Sequence, residues 1–414
     1  METISAKAVQ KKKALMGNGE YVTRSQFELL KRQERIALIR RLIPIGLMTV
    51  AEELQKEIDE ILADSVDPGT GQSKAFKYGN NPGSIVLGNQ RIPIKVPRIR
   101  SEKGEISLES YALLHQDDDP QTLYNSILNG ISCRKYESTI TNHNGSIAKS
   151  KSTISRKFIA QSEKEFREFQ NRDLSNHDFI AIFIDGTPFS KDQMIVALGI
   201  TMSGKKVILG FIQAGSENAL AISQFLQSLV DRGLKYDQGI LAIVDGSKGI
   251  ITAIKKTFYK RVIIQRCQWH KRENVVSYLP KTEQEFMRKR LQQSYERPTL
   301  EEALKLFKAI QEELEQTNQS AAASLQEGFN ETLALHRLGV FPLIGVSLKT
   351  SNCLESINAS IEKNCGKINR WKNSSQKQRW LAGALVQAEP ALRTIKGYKH
   401  LQELRNAIKK ELDI

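Results

Sequence analysis

The stretch Phe179-Ile-Ala-Ile-Phe-Ile-Asp185 decides the fold, because an unbroken apolar run of this length predicts a strand buried on both faces. A second apolar run, Ile240-Leu-Ala-Ile-Val244, is likewise followed by an aspartate, Asp245. Each aspartate is followed by Gly, and a single Asp-Gly most often marks a turn. Two carboxylates at the ends of neighbouring strands converge, however, so we interpret Asp185 and Asp245 as ligands of a shared cation.

Strand and helix patterns alternate around these two runs. The other predicted elements are strands at Met194–Ile200, Lys206–Gln213 and Arg261–Ile264, and helices at Glu217–Val230 and Lys248–Phe258. Three hairpin-linked strands followed by helix, strand, helix and strand predict the α/β class. This order indicates a ribonuclease-H-like catalytic core over 176–270, with its first and fourth strands adjacent.

A long helical pattern separates this core from a third acidic residue. Residues 271–340 are rich in Glu, Gln, Lys and Leu and predict an all-helical insertion, since an unstructured loop of that length is improbable inside a domain. The catalytic domain is expected to resume over 341–370, where Glu355 shares a helix face with Asn358, and a basic helical segment over 371–414 follows. That face suits a third metal ligand.

Three carboxylates of this kind predict magnesium chemistry. Oxygen ligands suit Mg²⁺, and two ions roughly 3.5–4 Å apart can stabilise the attacking and leaving oxygens of a displacement at phosphate. We therefore expect Asp185, Asp245 and Glu355 to hold two Mg²⁺ ions, for which Mn²⁺ could substitute, and the reaction to be DNA strand cutting and joining.

The charge of the chain favours a polyanionic partner. The net charge is +15 and the pI about 9.5, which suits nucleic acid but also a ribosome or an anionic membrane. No apolar stretch approaches the roughly 20 residues of a membrane span. The four cysteines form no paired framework, so a cytoplasmic, nucleoid-associated protein is expected.

The N-terminal third predicts a mainly helical DNA-binding region. Residues 1–75 read as a basic helical arm or a merely solvated helix, and 76–116 as a β-rich segment with a hairpin at Gly88-Asn-Gln. Prolines in the second strand of the hairpin predict an edge position, and its arginines either grip phosphates or protect that edge. Residues 117–175 have helix-turn-helix spacing, with Ser152 as the cap of the third helix.

Several polar and basic residues are candidate DNA contacts, because they lie in this region or near the acidic residues. They are Arg98, Arg100, Arg134, Lys151, Ser152, Thr153, Ser155, Arg156, Lys248, Arg266, Lys271 and Lys349.

The stretch Cys267-Gln-Trp-His270 begins where a predicted strand ends. No second Cys or His pair lies at zinc-ligand spacing, so a zinc site is disfavoured. We expect Cys267 and His270 instead to brace the junction between the catalytic sheet and the helical insertion. His270 could also approach the scissile phosphate. Trp269 either packs or stacks on an unpaired base.

Seven stretches of the chain form one set of motifs. They are Arg91-Ile-Pro-Ile-Lys-Val-Pro-Arg-Ile-Arg100, Asn129-Gly-Ile-Ser-Cys-Arg134, Ser152-Thr-Ile-Ser-Arg156, Phe183-Ile-Asp-Gly-Thr187, Ile243-Val-Asp-Gly-Ser-Lys-Gly249, Gln265-Arg-Cys-Gln-Trp-His-Lys-Arg-Glu-Asn274 and Lys349-Thr-Ser-Asn-Cys-Leu-Glu-Ser-Ile-Asn358. Together they resemble the Mutator-type transposases of bacterial insertion sequences. The resemblance implies an Asp-Asp-Glu triad at Asp185, Asp245 and Glu355 with two magnesium ions, and Cys267 and His270 as the accompanying pair. One departure is Lys349-Thr-Ser-Asn, where the family usually has Arg-Thr-Thr-Asn; lysine loses the bidentate fork of arginine.

The resemblance implies a DNA transposase that binds terminal inverted repeats and target DNA and transfers strands. A homodimer or higher multimer is expected, because two DNA ends must be joined in one complex. The alternatives are a catalytically inactive DNA-binding regulator and a structure-selective nuclease that never joins strands.

Overall fold

The computed structural model describes residues 49–66, 73–87, 90–102, 104–115, 120–133, 150–215, 218–368 and 370–414. Most of the predicted basic arm and the candidate DNA contact Arg134 lie outside these ranges. The chain divides into two compact units, one formed by Met1–Ile127 and Ile131–Phe158 and the other by Leu128–Gly130 and Ile159–Ile414.

The first unit contains a three-stranded antiparallel sheet in the order β1-β2-β3. Its core joins the sheet to the first helix through Leu54, Ile58, Ile85 and Ile99, which are all buried. The elements are α1 (49–64), β1 (Ala75–Leu87), β2 (Gln90–Ser101), β3 (Gly104–Ile106), α2 (Glu109–His115) and α3 (Pro120–Leu128), followed by α4 (Lys151–Asn171), which continues into the second unit.

The predicted hairpin is confirmed, but the predicted edge position of its second strand is wrong. Leu87 pairs with Gln90, so β1 and β2 are consecutive antiparallel strands. β2 is the middle strand, since its last residues, Ile99–Ser101, also pair with β3. β3 is too short to reach Pro93 and Pro97, so neither proline has to pair with strands on both sides.

The second unit is built on a five-stranded mixed sheet. Its elements are β4 (Phe179–Phe189), β5 (Asp192–Thr201), β6 (Lys206–Gln213), α5 (Ala219–Asp231), β7 (Ile240–Val244), α6 (Lys248–Phe258) and β8 (Val262–Arg266). The strand order is β6-β5-β4-β7-β8. β4, β5 and β6 are antiparallel, and β7 lies parallel to both β4 and β8, so the predicted adjacency of the first and fourth strands is confirmed. The α/β class is therefore correct.

β4 differs from the prediction at the point that matters for the site. The apolar run does not end the strand at Asp185, because antiparallel pairing with β5 continues to Phe189 opposite Asp192. What ends near Asp185 is the parallel pairing with β7, whose last register pair is Ile184 and Val244. Asp185 therefore lies within a strand, at the position where one of its two neighbours stops.

Both faces of this sheet are covered, as the apolar strands predict. Ile182 and Ile184 pack with α5 and α6, while Phe183 packs on the opposite face with the helices that close the chain. Those helices are α13 (Phe341–Leu348), α14 (Asn352–Cys365), α15 (Ser374–Ala388) and α16 (Leu401–Leu412). Leu385 and Ile408 belong to the same core, so the basic C-terminal segment is an integral layer of this unit.

The block between β8 and α13 is helical, as predicted, and has a core of its own. Val275, Leu291, Phe307 and Leu325 are buried together there. The elements are α7 (Gln268–Ser277), α8 (Lys281–Tyr295), α9 (Leu300–Thr317), α10 (Gln319–Gln326), α11 (Phe329–Thr332) and α12 (Ala334–Arg337).

Candidate active site

Asp185 and Asp245 lie side by side because they are the next residues after the last register pair of β4 and β7. Each carboxylate accepts one local backbone hydrogen bond. Gly186 N–H donates to Asp185 Oδ1 over 2.8 Å, and Ser247 N–H donates to Asp245 Oδ1 over 2.8 Å. The sheet therefore fixes the two residues, and these backbone hydrogen bonds orient their carboxylates.

The electrostatics of this pair favour a cation. Burial, followed by repulsion from Asp245, raises the pKa of Asp185 to about 6. Two half-buried carboxylates that repel each other are a donor set suited to a hard divalent ion, which would remove the repulsion and use the oxygens. The residues at this position thus fit a magnesium-type cation.

Cys267 and His270 lie at the start of α7, beside the aspartates. Cys267 N–H donates to Val244 O over 2.7 Å, which ties the start of α7 to the end of β7. The Cys267 sulfur accepts from Ser351 N–H at 3.4 Å and from Ser351 Oγ at 3.6 Å, and His270 Nδ1 lies 3.5 Å from the same hydroxyl. The Cys267 backbone bond lies at the predicted junction between the sheet and the helical insertion, whereas the side-chain contacts of Cys267 and His270 reach the start of α14 instead.

The two side chains shift each other's pKa in opposite directions. The hydrogen bond with Cys267 is the main reason that the pKa of His270 is raised to about 9, and Asp185 and Asp245 raise it further. Burial alone would raise the pKa of Cys267. The hydrogen bond from His270 and the positive charge of that imidazole outweigh burial, so the pKa of Cys267 is lowered. A protonated imidazole cannot coordinate a metal, so His270 supplies positive charge near the aspartates.

Glu355 is not brought into this group. It is exposed in the first turn of α14, although that helix is tied to β4 by Thr187 Oγ1 donating to Asn358 Oδ1 over 3.0 Å. Within the described ranges, no three or more His, Cys, Asp or Glu side chains are arranged to hold a metal ion. The structure thus joins two of the three predicted ligands, and the role of Glu355 stays a prediction.

The predicted phosphate contacts Arg266 and Lys271 need correction, because both are buried. Their exposed fractions are 4% and 1%. Arg266 Nη1 donates to the Glu327 carbonyl over 3.1 Å, Lys271 Nζ donates to the same carbonyl, and the Glu327 carboxylate lies 3.4 Å from Arg266 and 3.5 Å from Lys271. We call Arg266, Lys271 and Glu327 the Arg266 cluster; its donors are directed at the protein rather than at solvent.

Other predicted contacts near the aspartates are accessible. Lys248 is exposed at the first position of α6, directly after the Asp245 loop. Lys349 is half-buried, with Nζ 5.7 Å from the centroid of the Phe341 ring. Trp269 is 43% exposed and packs edge-on against His270, with ring centroids 4.8 Å apart.

In the first unit, the start of α4 exposes Lys151, Ser152 and Arg156, whereas Thr153 and Ser155 are half-buried. The predicted cap at Ser152 is wrong by two residues. The helix begins at Lys151, and Ser150 Oγ accepts from Thr153 N–H over 3.3 Å, because the capping side chain has to precede the first turn. Ser152 instead lies within that turn, with its hydroxyl 2.9 Å from that of Ser150.

Arg98 and Arg100 lie beside an exposed tyrosine on the small sheet. Their guanidinium carbons are 5.3 and 5.0 Å from the centroid of the Tyr78 ring, and Arg98 also forms a two-bond ion pair with Glu105. The tyrosine holds two cations on one surface, as cation–π contacts do.

Sequence reasoning missed two residues of the site. Ser351 is buried, its hydroxyl contacts both Cys267 and His270, and it lowers the pKa of Asp185. Glu327 is the acceptor of both buried cations. The Lys349-Thr-Ser-Asn stretch pointed to Ser351, whereas nothing near Glu327 in the sequence indicates its partners.

The fold and the site therefore define a mixed α/β protein that carries an aspartate pair next to a Cys–His pair. Residues 23–390 match the model of the family described as transposase, Mutator family, so the chain belongs to the Mutator family of transposases. Membership implies an enzyme that processes DNA. No helix in the described ranges has the length and apolar character required to span a bilayer.

Curated relatives agree with this assignment. The chain is 26% identical over 315 residues to the transposase for insertion sequence element IS256 in transposon Tn4001 of Staphylococcus aureus, covering 71% of this chain and 76% of the relative. It is 26% identical over 373 residues to the transposase for insertion sequence element ISRM5 of Rhizobium meliloti (strain 1021), and this match covers 87% of this chain and 90% of the relative. It is 28% identical over 241 residues to the transposase for insertion sequence element IS6120 of Mycolicibacterium smegmatis, and this match covers 56% of this chain and 73% of the relative.

Proposed function

We propose that this protein binds the terminal inverted repeats of an insertion sequence and catalyses metal-dependent DNA cleavage and strand transfer. The observation that carries the proposal is the Asp185–Asp245 pair, held on adjacent strands of a Mutator-family chain. Its raised Asp185 pKa is typical of a site that is completed by a ligand.

Asp185 and Asp245 would hold the divalent ions, with Glu355 as the third acidic ligand. Mg²⁺ suits these oxygen donors, and Mn²⁺ would substitute. When bound, two such ions would stabilise the charge on the attacking and leaving oxygens of the phosphodiester.

The chain's own groups prepare this site. The backbone N–H of Gly186 hydrogen-bonds Asp185, and that of Ser247 hydrogen-bonds Asp245, so each carboxylate is oriented before substrate arrives. The positive charge of His270 lies beside the pair, where it would attract the scissile phosphate. Lys248 and Lys349 would neutralise the flanking phosphates.

DNA recognition is assigned to the first unit. Arg98 and Arg100 form a cationic surface with Tyr78, and Lys151, Ser152 and Arg156 are exposed at the beginning of α4. Helix N-termini and arginines are frequent phosphate contacts. Two element ends must be processed together, so the active form is a homodimer or a higher multimer on DNA.

The test is a cleavage and joining assay with purified full-length protein and DNA that carries the element's own ends. We expect joining in Mg²⁺, none in EDTA, and a loss on the order of 1000-fold in Asp245→Asn, because the group acts in the transition state. Asp237→Asn, on the loop before β7, is the matched control. Cleavage without joining would instead identify a nuclease, and specific end binding without cleavage a regulator.

A further inference from the structure

The Arg266 cluster lies against the loop that carries Asp245. Gly246, the residue after Asp245, has a φ of +108°, and a Cβ there would overlap the Arg266 guanidinium. On the other side, Gly328 has a φ of +63°, and a Cβ there would also overlap that guanidinium. The planar group therefore fills the space between the Asp245 loop and the Glu327-Gly328 turn.

The surrounding segments are joined by buried hydrogen bonds. Gln265 Nε2 donates to Thr332 O over 2.9 Å, and Gln265 Oε1 accepts from Leu335 N–H over 3.0 Å. Gln268 Nε2 donates to the same Thr332 carbonyl over 2.9 Å. The end of β8 and the start of α7 are thus fixed to the last part of the helical insertion, which also supplies Glu327.

We propose that the Arg266 cluster is a positioning device for Asp245, through which the helical insertion sets the geometry of the carboxylate pair. Arg266 reaches Asp245 only through Gly246, so it acts by holding the loop and not by touching substrate. Glu327 and Gly328 determine where the guanidinium lies. This inference rests on the proposed function, in which Asp245 is a metal ligand.

The device can be disturbed without changing any of its charges. Gly328→Ala would add a methyl group where the guanidinium lies, and the chain offers a matched control in Gly339→Ala. Gly339 has a similar φ of +71°, but nothing lies within 4 Å of the position of its Cβ. Both substitutions cause the same kind of backbone strain, so only the displacement of Arg266 distinguishes them.

Two measurements on the full chain report on the position of the loop that carries Asp245. The first is Mn²⁺ affinity by isothermal titration, with Asp245→Asn as the reference for binding at the carboxylate pair. The second is hydrogen exchange of the Ser247 amide, which donates to Asp245 Oδ1. We expect Gly328→Ala to weaken Mn²⁺ on the order of 10-fold, as loss of outer-shell support commonly does, and to speed Ser247 exchange.

A second substitution tests the cause. In a double-mutant cycle, shortening Arg266 to lysine makes room for the added methyl group, so Gly328→Ala should have little further effect in an Arg266→Lys background. Additive effects of the two substitutions would overturn the assignment, and so would equal behaviour of Gly328→Ala and Gly339→Ala. Wild-type Mn²⁺ binding that is unchanged in Asp245→Asn would instead refute the proposed metal site, while Ser247 exchange would still decide whether the cluster holds the loop.

Discussion

The carboxylate pair and the Arg266 cluster are neighbours that balance buried like charges differently. In the pair, two acidic groups face each other, and burial and repulsion raise the pKa of Asp185 to about 6. In the cluster, burial and repulsion from Arg266 lower the pKa of Lys271 to about 8, but both cations donate to one residue, Glu327, through its carbonyl and its carboxylate. The chain itself therefore supplies the opposite charge within 3.5 Å of both cations, whereas a bound cation would supply it for the pair.

The largest expected change in stability comes from breaking the Arg266 cluster. Arg266→Ala should lower the free energy of unfolding by about 3 kcal/mol, because it removes one member of a buried charge network and leaves a cavity between two glycines. Urea unfolding followed by circular dichroism would measure it. Arg261→Ala, an exposed arginine at the other end of β8, should change stability by less than about 0.5 kcal/mol. Equal losses of stability in Arg266→Ala and Arg261→Ala would show that the buried cluster stabilises the protein no more than an exposed arginine does.

Removing one charge of the carboxylate pair should raise the free energy of unfolding, whereas Arg266→Ala should lower it. The pKa of Asp185 is higher in the folded than in the unfolded chain, so its carboxyl lowers stability as pH rises from about 4 to about 6. Asp185→Asn should therefore raise the free energy of unfolding at pH 7.5 in EDTA by up to about 2 kcal/mol, and by almost nothing near pH 4.

The control for this measurement is Asp173→Asn. Hydrogen bonds from Ser175 hold the pKa of Asp173 below its usual range, so the same substitution there should not stabilise the protein. A wild-type protein that is more stable than Asp185→Asn at pH 7.5 would contradict the description of the pair.

The smallest expected effect is on the salt dependence of DNA binding, which should differ between an exposed and a buried lysine. Lys248→Met should reduce the slope of log affinity against log salt by about 1, because one phosphate contact is lost. Lys271→Met should leave the slope unchanged, since Lys271 is buried against Glu327. The measurement is fluorescence anisotropy with labelled end DNA across a salt series. An equal reduction in Lys271→Met would show that Lys271 reaches DNA after all.

Much of the second unit could be predicted because its signals are local. The strand Ile240–Val244 and the helix Lys248–Phe258 have the predicted bounds, since an apolar run and an apolar helix face each define their own element. The juxtaposition of Asp185 and Asp245 followed from the order of the strands. These elements could be predicted without knowing which distant residues they contact.

The features that could not be predicted depend on such partners. β4 runs to Phe189 because β5 pairs with it there, against the turn preference of Asp185-Gly186. Arg266 and Lys271 have the composition of a phosphate-binding surface, and only the return of the chain at Glu327 shows that they are buried. In the same way, the cap of α4 depends on where the first turn begins and not on which serine is most prominent in the motif.

The hydrogen bonds from Gln265 and Gln268 to Thr332 have a consequence for the evolution of this chain. They place the beginning and the end of the helical insertion next to each other, so its helices could be lengthened, shortened or exchanged without altering the order of the strands. Glu327 limits that freedom, because any exchange that removes it leaves Arg266 and Lys271 without their acceptor. Related chains that have lost the segment around Glu327 should therefore have lost both cations as well.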